Sequence, residues 1–257
     1  MIKYYGGKIW LGKQIENYLP KEDLKGFCDV FVGGGSISDI LSKHYKYNLI
    51  NDKDANLINF YNVAKERNGE LIEYILENRN KYSMLDIKNF KNELENDEPL
   101  LRAFKYYSMI YSCFGGKPYD VPTKDKYNNY IKRNVEKDLL LCKSTLSNCS
   151  ILNKDYKELI YSDILYYCDP PYYKVSSNTY YGKNGKNHKD FDHGEFAEWI
   201  KDRSKNNKII ISYEDSDYIR SLYKDFNIKE ISKKTTTFSK NENNRTIDTP
   251  ELLIMNY

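Results

Sequence analysis

Short apolar runs recur along the chain, each long enough for one buried strand: Phe27-Cys28-Asp29-Val30-Phe31-Val32, Leu49-Ile50, Ser150-Ile151-Leu152, Ile164 to Cys168, Lys208-Ile209-Ile210-Ile211-Ser212 and Glu251 to Met255. Strands covered on both faces read as near-continuous apolar stretches, and helical patterns separate these ones, so the chain predicts an α/β fold with a mostly parallel sheet. The first run breaks at Gly33-Gly34-Gly35. Ser36 is then the predicted cap of a helix through Leu41 and His44, which makes residues 27–58 the opening of a βαβ unit. From Asn56 to about residue 113 the period turns helical. Leu71, Ile72, Ile75 and Leu76 share one face, as do Leu101, Phe104, Tyr107, Ile110 and Tyr111 further on. Residues 114–134, with Gly115-Gly116, Pro118 and Pro122, predict a loop or hairpin, and a helix follows through Leu139–Leu141 to Leu146. The predicted organisation is an α/β domain made of residues 1–58 and 151–257, interrupted by a mainly helical insertion at 59–150.

Composition narrows this only a little. The 257 residues are 30% charged with a formal charge of +3, which permits a polyanionic partner without demanding one. Tyrosine is abundant at 26 residues, which an AT-rich coding sequence explains better than any shared role. Cys28, Cys113, Cys142, Cys149 and Cys168 form no C-x-x-C pair and there are three histidines, so neither a metal site nor a disulfide framework is expected. No apolar stretch approaches a membrane span, and the expectation is a cytoplasmic protein with no membrane partner.

The most specific chemistry is Asp169-Pro170-Pro171-Tyr172, directly after the Ile164–Cys168 run. Each proline fixes its own φ and gives up an N–H, so carbonyls at this corner are free to face a ligand. A carboxylate and a carbonyl accept hydrogen bonds from an amino group, and the tyrosine ring offers a face to a base. Upstream, Asp29-x-Phe31-x-Gly33-Gly34-Gly35-Ser36 places glycines between a strand and a helix, where a ligand approaches the backbone closely. Asp52 ends the next strand, where a carboxylate accepts from a ribose diol, and Asp155-Tyr156 follow the strand ending at Leu152. In an open α/β sheet these acids gather at one edge, beyond the carboxyl ends of the strands.

Taken in order, these segments resemble the Dam-type adenine-specific DNA methyltransferases over nearly the whole chain. Tyr4-Tyr5-Gly6-Gly7-Lys8 is similar to the family's aromatic-x-Gly-Gly-Lys motif, Tyr4 standing where tryptophan is frequent. Asp29 to Ser36 resembles its glycine motif, Asn51-Asp52 its ribose-binding acid, Asp155-Tyr156 its adenine-contacting motif, and Asp169 to Tyr172 its catalytic tetrapeptide. Phe191-Asp192-His193, Ile209 to Tyr213 and Thr249 to Ile254 fit its later motifs, with His193 read as an anchor for a helix start. The resemblance implies a Rossmann-like S-adenosylmethionine-dependent methyltransferase sheet with an inserted, mainly helical DNA-recognition domain. It implies cofactor contacts from Tyr4, Lys8, Asp29, Phe31, Gly33, Gly35, Asp52, Asp155, Tyr156 and Asp169, and catalysis by Asp169, Pro170, Pro171 and Tyr172 on an adenine flipped from double-stranded DNA. Neither a metal nor a cysteine nucleophile is called for, and a monomer suffices.

The segment Tyr173 to Lys189 is predicted to act as a flap over the base pocket. Sequence reading is expected from the insertion, where Tyr119-Asp120-Val121-Pro122 is similar to the Phe-Asn-Val-Pro segment of family members that recognise GATC. Lys117, Tyr119, Lys124, Lys126, Asn128, Asn129, Lys132 and Arg133 are the predicted DNA contacts. The family's guanine-reading arginine has no counterpart in Phe114 to Pro118, where Lys117 is the available cation. Methylation of the cytosine amine or of RNA, or a DNA-binding module without activity, are the alternatives that the corner alone leaves open.

Overall fold

The computed structural model describes residues 2, 7–173, 191–237 and 245–257, with backbone alone over 232–237 and 245–250. A seven-stranded sheet runs in the order β3-β2-β1-β4-β5-β7-β6. β1 (Gly26–Asp29) lies between β2 (Tyr47–Asn51) and β4 (Ile164–Cys168) and is parallel to both. β3 (Cys149–Leu152) continues in parallel beside β2, and β5 (Lys208–Glu214) beside β4. β7 (Arg245–Met255) is antiparallel to β5, and β6 (Asn227–Thr237) is antiparallel to β7 at the edge. The mainly parallel α/β sheet expected from the apolar runs is therefore present. β6 was not expected: Lys229, Glu230, Lys233 and Lys234 break its pattern, as charges do on an edge strand that must not pair with another chain.

Alternation along the strands sorts side chains onto two buried faces. α1 (Ile9–Ile15) and α2 (Ser38–Leu41) cover one, where Leu11, Ile15 and Leu41 meet Leu165, Tyr167, Ile210 and Leu253. The other face carries Ile164, Tyr166, Cys168, Ile209, Ile211, Leu252 and Ile254.

The helical residues between β2 and β3 form α3 (Ala55–Glu66), α4 (Asn68–Asn78), α5 (Met84–Phe90), α6 (Pro99–Ser112), α7 (Lys124–Ile131) and α8 (Val135–Leu146). Asp54 caps α3 by accepting from the Asn56 and Leu57 amides, and Pro99 sits in the first turn of α6, where its missing N–H costs nothing. The stretch of α6 from Ala103 to Ser112 is buried all round, against Phe60 and Tyr61 of α3 among others. Beyond the insertion, α9 (His193–Arg203) and α10 (Asp217–Leu222) cover the second sheet face through Phe196, Ala197, Ile200 and Ile219. Among the described residues, no helix is long and apolar enough to cross a membrane.

Two local expectations change. Ser36 does not cap α2, which begins two residues later behind Ile37 without a side-chain cap. The Ser38 hydroxyl instead donates to the buried Asp29 carboxylate at 2.5 Å. In the segment expected as a loop or hairpin, Cys113 and Pro122 form an isolated antiparallel bridge, and the chain then enters α7. Tyr127, Tyr130 and Ile131 recur at helical spacing and join the helical core, while Lys124, Asp125, Asn128 and Asn129 face outward.

Candidate active site

The strand order reverses between β1 and β4, the switch point where open α/β sheets bind ligands beyond their carboxyl ends. Asp29 closes β1, and Asp52, Asp155 and Asp169 come just after β2, β3 and β4. The predicted acids therefore share one edge of the sheet. Gly33 and Gly35 stand at φ 45° and 69°, in the left-handed region that a residue with a Cβ rarely adopts. Gly33 donates its amide to Asp52 Oδ2 at 3.0 Å and accepts from the Tyr61 hydroxyl at 2.5 Å. The other Asp52 oxygen accepts from the Asp54 amide at 2.9 Å. Asn51 stitches this edge together: its side-chain amide donates to the Val30 and Lys154 carbonyls and its oxygen accepts from the Lys154 amide. Sequence reading passed over Asn51 in favour of Asp52, although an asparagine ending a buried strand was signal enough.

Asp155 caps the short turn Tyr156–Glu158 and pairs with Lys53 at 2.8 Å. Phe31 and Tyr156 stand 6.0 Å apart and share an aromatic wall with Phe191 and Phe196. Tyr4 lies outside the described residues, as does the predicted flap beyond Tyr173. Asp192, not His193, caps α9, and the His193 ring bonds the Tyr213 hydroxyl.

At the β4 corner, Asp169 and Tyr172 converge on Lys8. The Lys8 ammonium donates to Asp169 Oδ1 at 2.7 Å and to Ser212 Oγ at 3.0 Å, and it also contacts the Tyr172 hydroxyl and Glu251 Oε1. It lies 4.5 Å from the centre of the Tyr172 ring. Lys8 reaches this point because it directly precedes α1, its carbonyl accepting from the Leu11 and Gly12 amides, on the sheet face where Ser212 also emerges. Glu251 and Ser212 were not among the predicted site residues. A lone acid opening the apolar run Leu252–Met255 was the available signal for Glu251.

A profile of the D12 class N6 adenine-specific DNA methyltransferases matches residues 4–237. The chain belongs to this class. It is similar to the type II methyltransferase M.MjaIII of Methanocaldococcus jannaschii, with 30% identity over all of this chain and 98% of that protein. It also resembles a DNA adenine methylase of Vibrio cholerae (26% identity, 93% and 90% covered) and the type II methyltransferase M1.LlaDCHI of Lactococcus lactis (29%, 99% and 94%).

Adenine-specific methyltransferases of this class normally use S-adenosylmethionine, a sulfonium bearing an α-amino acid, a ribose diol and an adenine. The residues present fit such a ligand. Carboxylates dominate the edge, and Asp29 Oδ1 is buried without a hydrogen-bond partner among the described residues. Burial first, and then the neighbouring Asp169 and Asp52 charges, push the Asp29 carboxyl up to about 7 against the pull of Ser38. Burial likewise raises Asp52 and Asp169 to about 6, with the Lys8 charge opposing the rise at Asp169. A cationic ligand relieves that cost.

A raised carboxyl has a defined linkage. The native state holds the Asp29 proton more tightly than the unfolded chain, so this stabilisation is complete below about pH 4 and lost as pH climbs through about 7. The ligand-free methyltransferase is therefore expected to melt several degrees lower at about pH 8 than at about pH 5. Asp29→Asn should flatten that slope. Equal slopes in the two proteins, followed by calorimetry across this range, refute the assignment.

The predicted DNA contacts divide. Lys124, Asn128, Asn129 and Lys132 are exposed on or beside α7. Arg133 is engaged by Asp138 and lies 3.9 Å from the centre of the Tyr111 ring. The Tyr119 hydroxyl donates to both Asp54 oxygens at 3.0 and 3.1 Å and accepts from Asn56. Tyr119 thus anchors the turn before α7 to the cap of α3. Lys117 is half-buried, and Lys126 approaches the exposed Phe114 ring at 5.9 Å.

Proposed function

We propose that this D12 methyltransferase transfers a methyl group from S-adenosylmethionine to the exocyclic amine of an adenine flipped out of duplex DNA, with GATC the leading candidate site. The observation that carries the reading is the Asp169 to Tyr172 corner at the sheet's switch point, beside the buried Asp29 carboxylate, whose Oδ1 has no hydrogen-bond partner among the described residues. Asp52 is suited to the ribose diol, Asp155 and Tyr156 to the adenine, and Asp29 with the Gly33–Gly35 turn to the charged amino-acid end. When bound, S-adenosylmethionine would supply an activated methyl group, its sulfonium becoming a neutral thioether on transfer.

The adenine amine is a weak nucleophile because its lone pair is delocalised into the ring. Asp169 and the Pro170 carbonyl accept its hydrogens and turn that lone pair toward the methyl carbon. The new nitrogen–carbon bond forms as the sulfur–carbon bond breaks, and the surplus amine proton then passes to Asp169 or water. Catalysis on this account is positioning and preorganised electrostatics. Flipping costs a few kcal/mol, and stacking on Tyr172 returns roughly 1–3 kcal/mol.

In this reading residues 1–58 and 151–257 are the catalytic domain and 59–150 the target-recognition domain, acting as a monomer on one DNA strand at a time. The exposed amides and lysines of α7 suit base edges and phosphates, and the likeness of Tyr119 to Pro122 to the GATC-reading segment supports the target. Incubation with labelled cofactor and duplex DNA, followed by mass spectrometry of the nucleosides, is expected to give N6-methyladenine. Methylated cytosine, or no product, overturns the reading. Single-molecule sequencing of DNA from expressing cells reads the target, and a motif other than GATC removes that part alone.

A further inference from the structure

Glu251 opens the apolar end of β7 and pairs in register with Glu214 of β5. Strand alternation puts it on the face of Leu253 and Met255, the face covered by α1, and so beside Lys8. The Lys8 side chain is 8% exposed, Glu251 14% and Asp169 25%, so the ammonium lies between two largely buried carboxylates. Its three N–H groups are shared among Asp169, Glu251, Ser212 and Tyr172. More acceptors than protons surround it, so it can release one oxygen and stay paired. The Tyr172 hydroxyl, meanwhile, donates to Glu251, which fixes the ring by its far end.

This arrangement bears on the entry of the substrate. If the target amine is accepted at Oδ1, the oxygen that Lys8 holds, then the proposed function requires that oxygen to exchange a lysine ammonium for a neutral amine. A charge-assisted bond is about twice as strong as a neutral one, so the exchange is unfavourable unless the ammonium keeps another anion. We propose that Glu251 is a positioning residue for methyl transfer, retaining Lys8 and Tyr172 while Asp169 passes from Lys8 to the amine of the incoming adenine. With Glu251 neutral, Lys8 has Asp169 as its anion and competes with the substrate for it.

The groups facing Asp169 set the expected pH response. They are Lys8 ahead of α1, Tyr172 from the corner, Asp29 ending β1, Ser212 of β5 with Tyr167 of β4 hydrogen-bonded to it, and Glu251 of β7. The Glu251 charge raises the Asp169 carboxyl and Lys8 lowers it. Removing the Glu251 charge shifts the acidic limb of kcat/KM to lower pH, and the recovery on removing Lys8 as well is what a merely structural glutamate would not give.

The test compares wild type, Asp169→Ala, Glu251→Gln and the double variant Lys8→Met with Glu251→Gln, at saturating S-adenosylmethionine on duplex DNA carrying the unmethylated target site. Glu251→Gln is expected to lower kcat/KM for DNA by about 10- to 100-fold, the range of one charge-assisted hydrogen bond, with cofactor affinity by calorimetry within about threefold. Its acidic limb moves down. The double variant, lacking the competing cation, recovers about tenfold over Glu251→Gln and avoids a buried ammonium short of an anion if that single variant folds poorly. Glu251→Gln within about twofold of wild type while Asp169→Ala is inactive overturns this inference alone. So does a loss with an unmoved acidic limb and no recovery in the double variant. An active Asp169→Ala removes the acceptor assignment and this inference with it.

Discussion

Asp169→Ala is expected to lower turnover by at least about 10²-fold while leaving the chain folded, the scale seen when one preorganised hydrogen-bonding group is removed from an active site. The fold should survive because Lys8, the buried cation facing Asp169, keeps Glu251 and Ser212. Far-ultraviolet circular dichroism checks the fold, and single-turnover kinetics check the loss. Turnover within about tenfold of wild type would falsify the mechanism. The wild-type pH profile is a second reading of the same group. The carboxyl is raised to about 6, chiefly by burial, and it must be ionised to accept from the amine. Activity of the free enzyme should therefore fall as pH drops below about 6, well above the usual aspartate range.

The corner was legible in the sequence because its signal is local: an acid, two prolines and an aromatic directly after an apolar run. Asp29, Asp52 and Asp155 were legible for a related reason. Parallel strands send every carboxyl end to the same edge, so an acid at a strand end reports its position without any knowledge of strand order. Glu251 and Ser212 were hidden because their proximity to Lys8 depends on β7 running antiparallel beside β5 and on which strand face carries each side chain. Neither fact is encoded near the residues themselves. Tyr119 shows the same limit in the insertion. Its place beside the lysines and amides suggested DNA contact, yet its hydroxyl is bonded to Asp54, whose own amide is held by Asp52. α7 was hidden by composition, since asparagine and lysine resemble loop material until the spacing of Tyr127, Tyr130 and Ile131 is weighed.

The wiring of Asp52 sharpens the last prediction. Asp52→Ala is expected to weaken S-adenosylmethionine binding by about 2–4 kcal/mol, or roughly 30- to 1,000-fold in Kd, from two lost charge-assisted bonds to the ribose. The same carboxylate also accepts from the Gly33 and Asp54 amides, so alanine releases the glycine turn as well as the ligand. Asp52→Asn separates the two effects. Its side-chain oxygen still accepts from one amide and from a hydroxyl, but its nitrogen accepts from neither. Burial already raises the Asp52 carboxyl to about 6, so loss of charge alone does not destabilise the free protein. The Asp52→Asn protein should therefore melt near wild type yet bind the cofactor about tenfold more weakly, with Asp52→Ala weaker again and lower melting. Titration calorimetry on the three proteins decides it, and a dissociation constant unchanged in Asp52→Ala takes Asp52 out of the cofactor site.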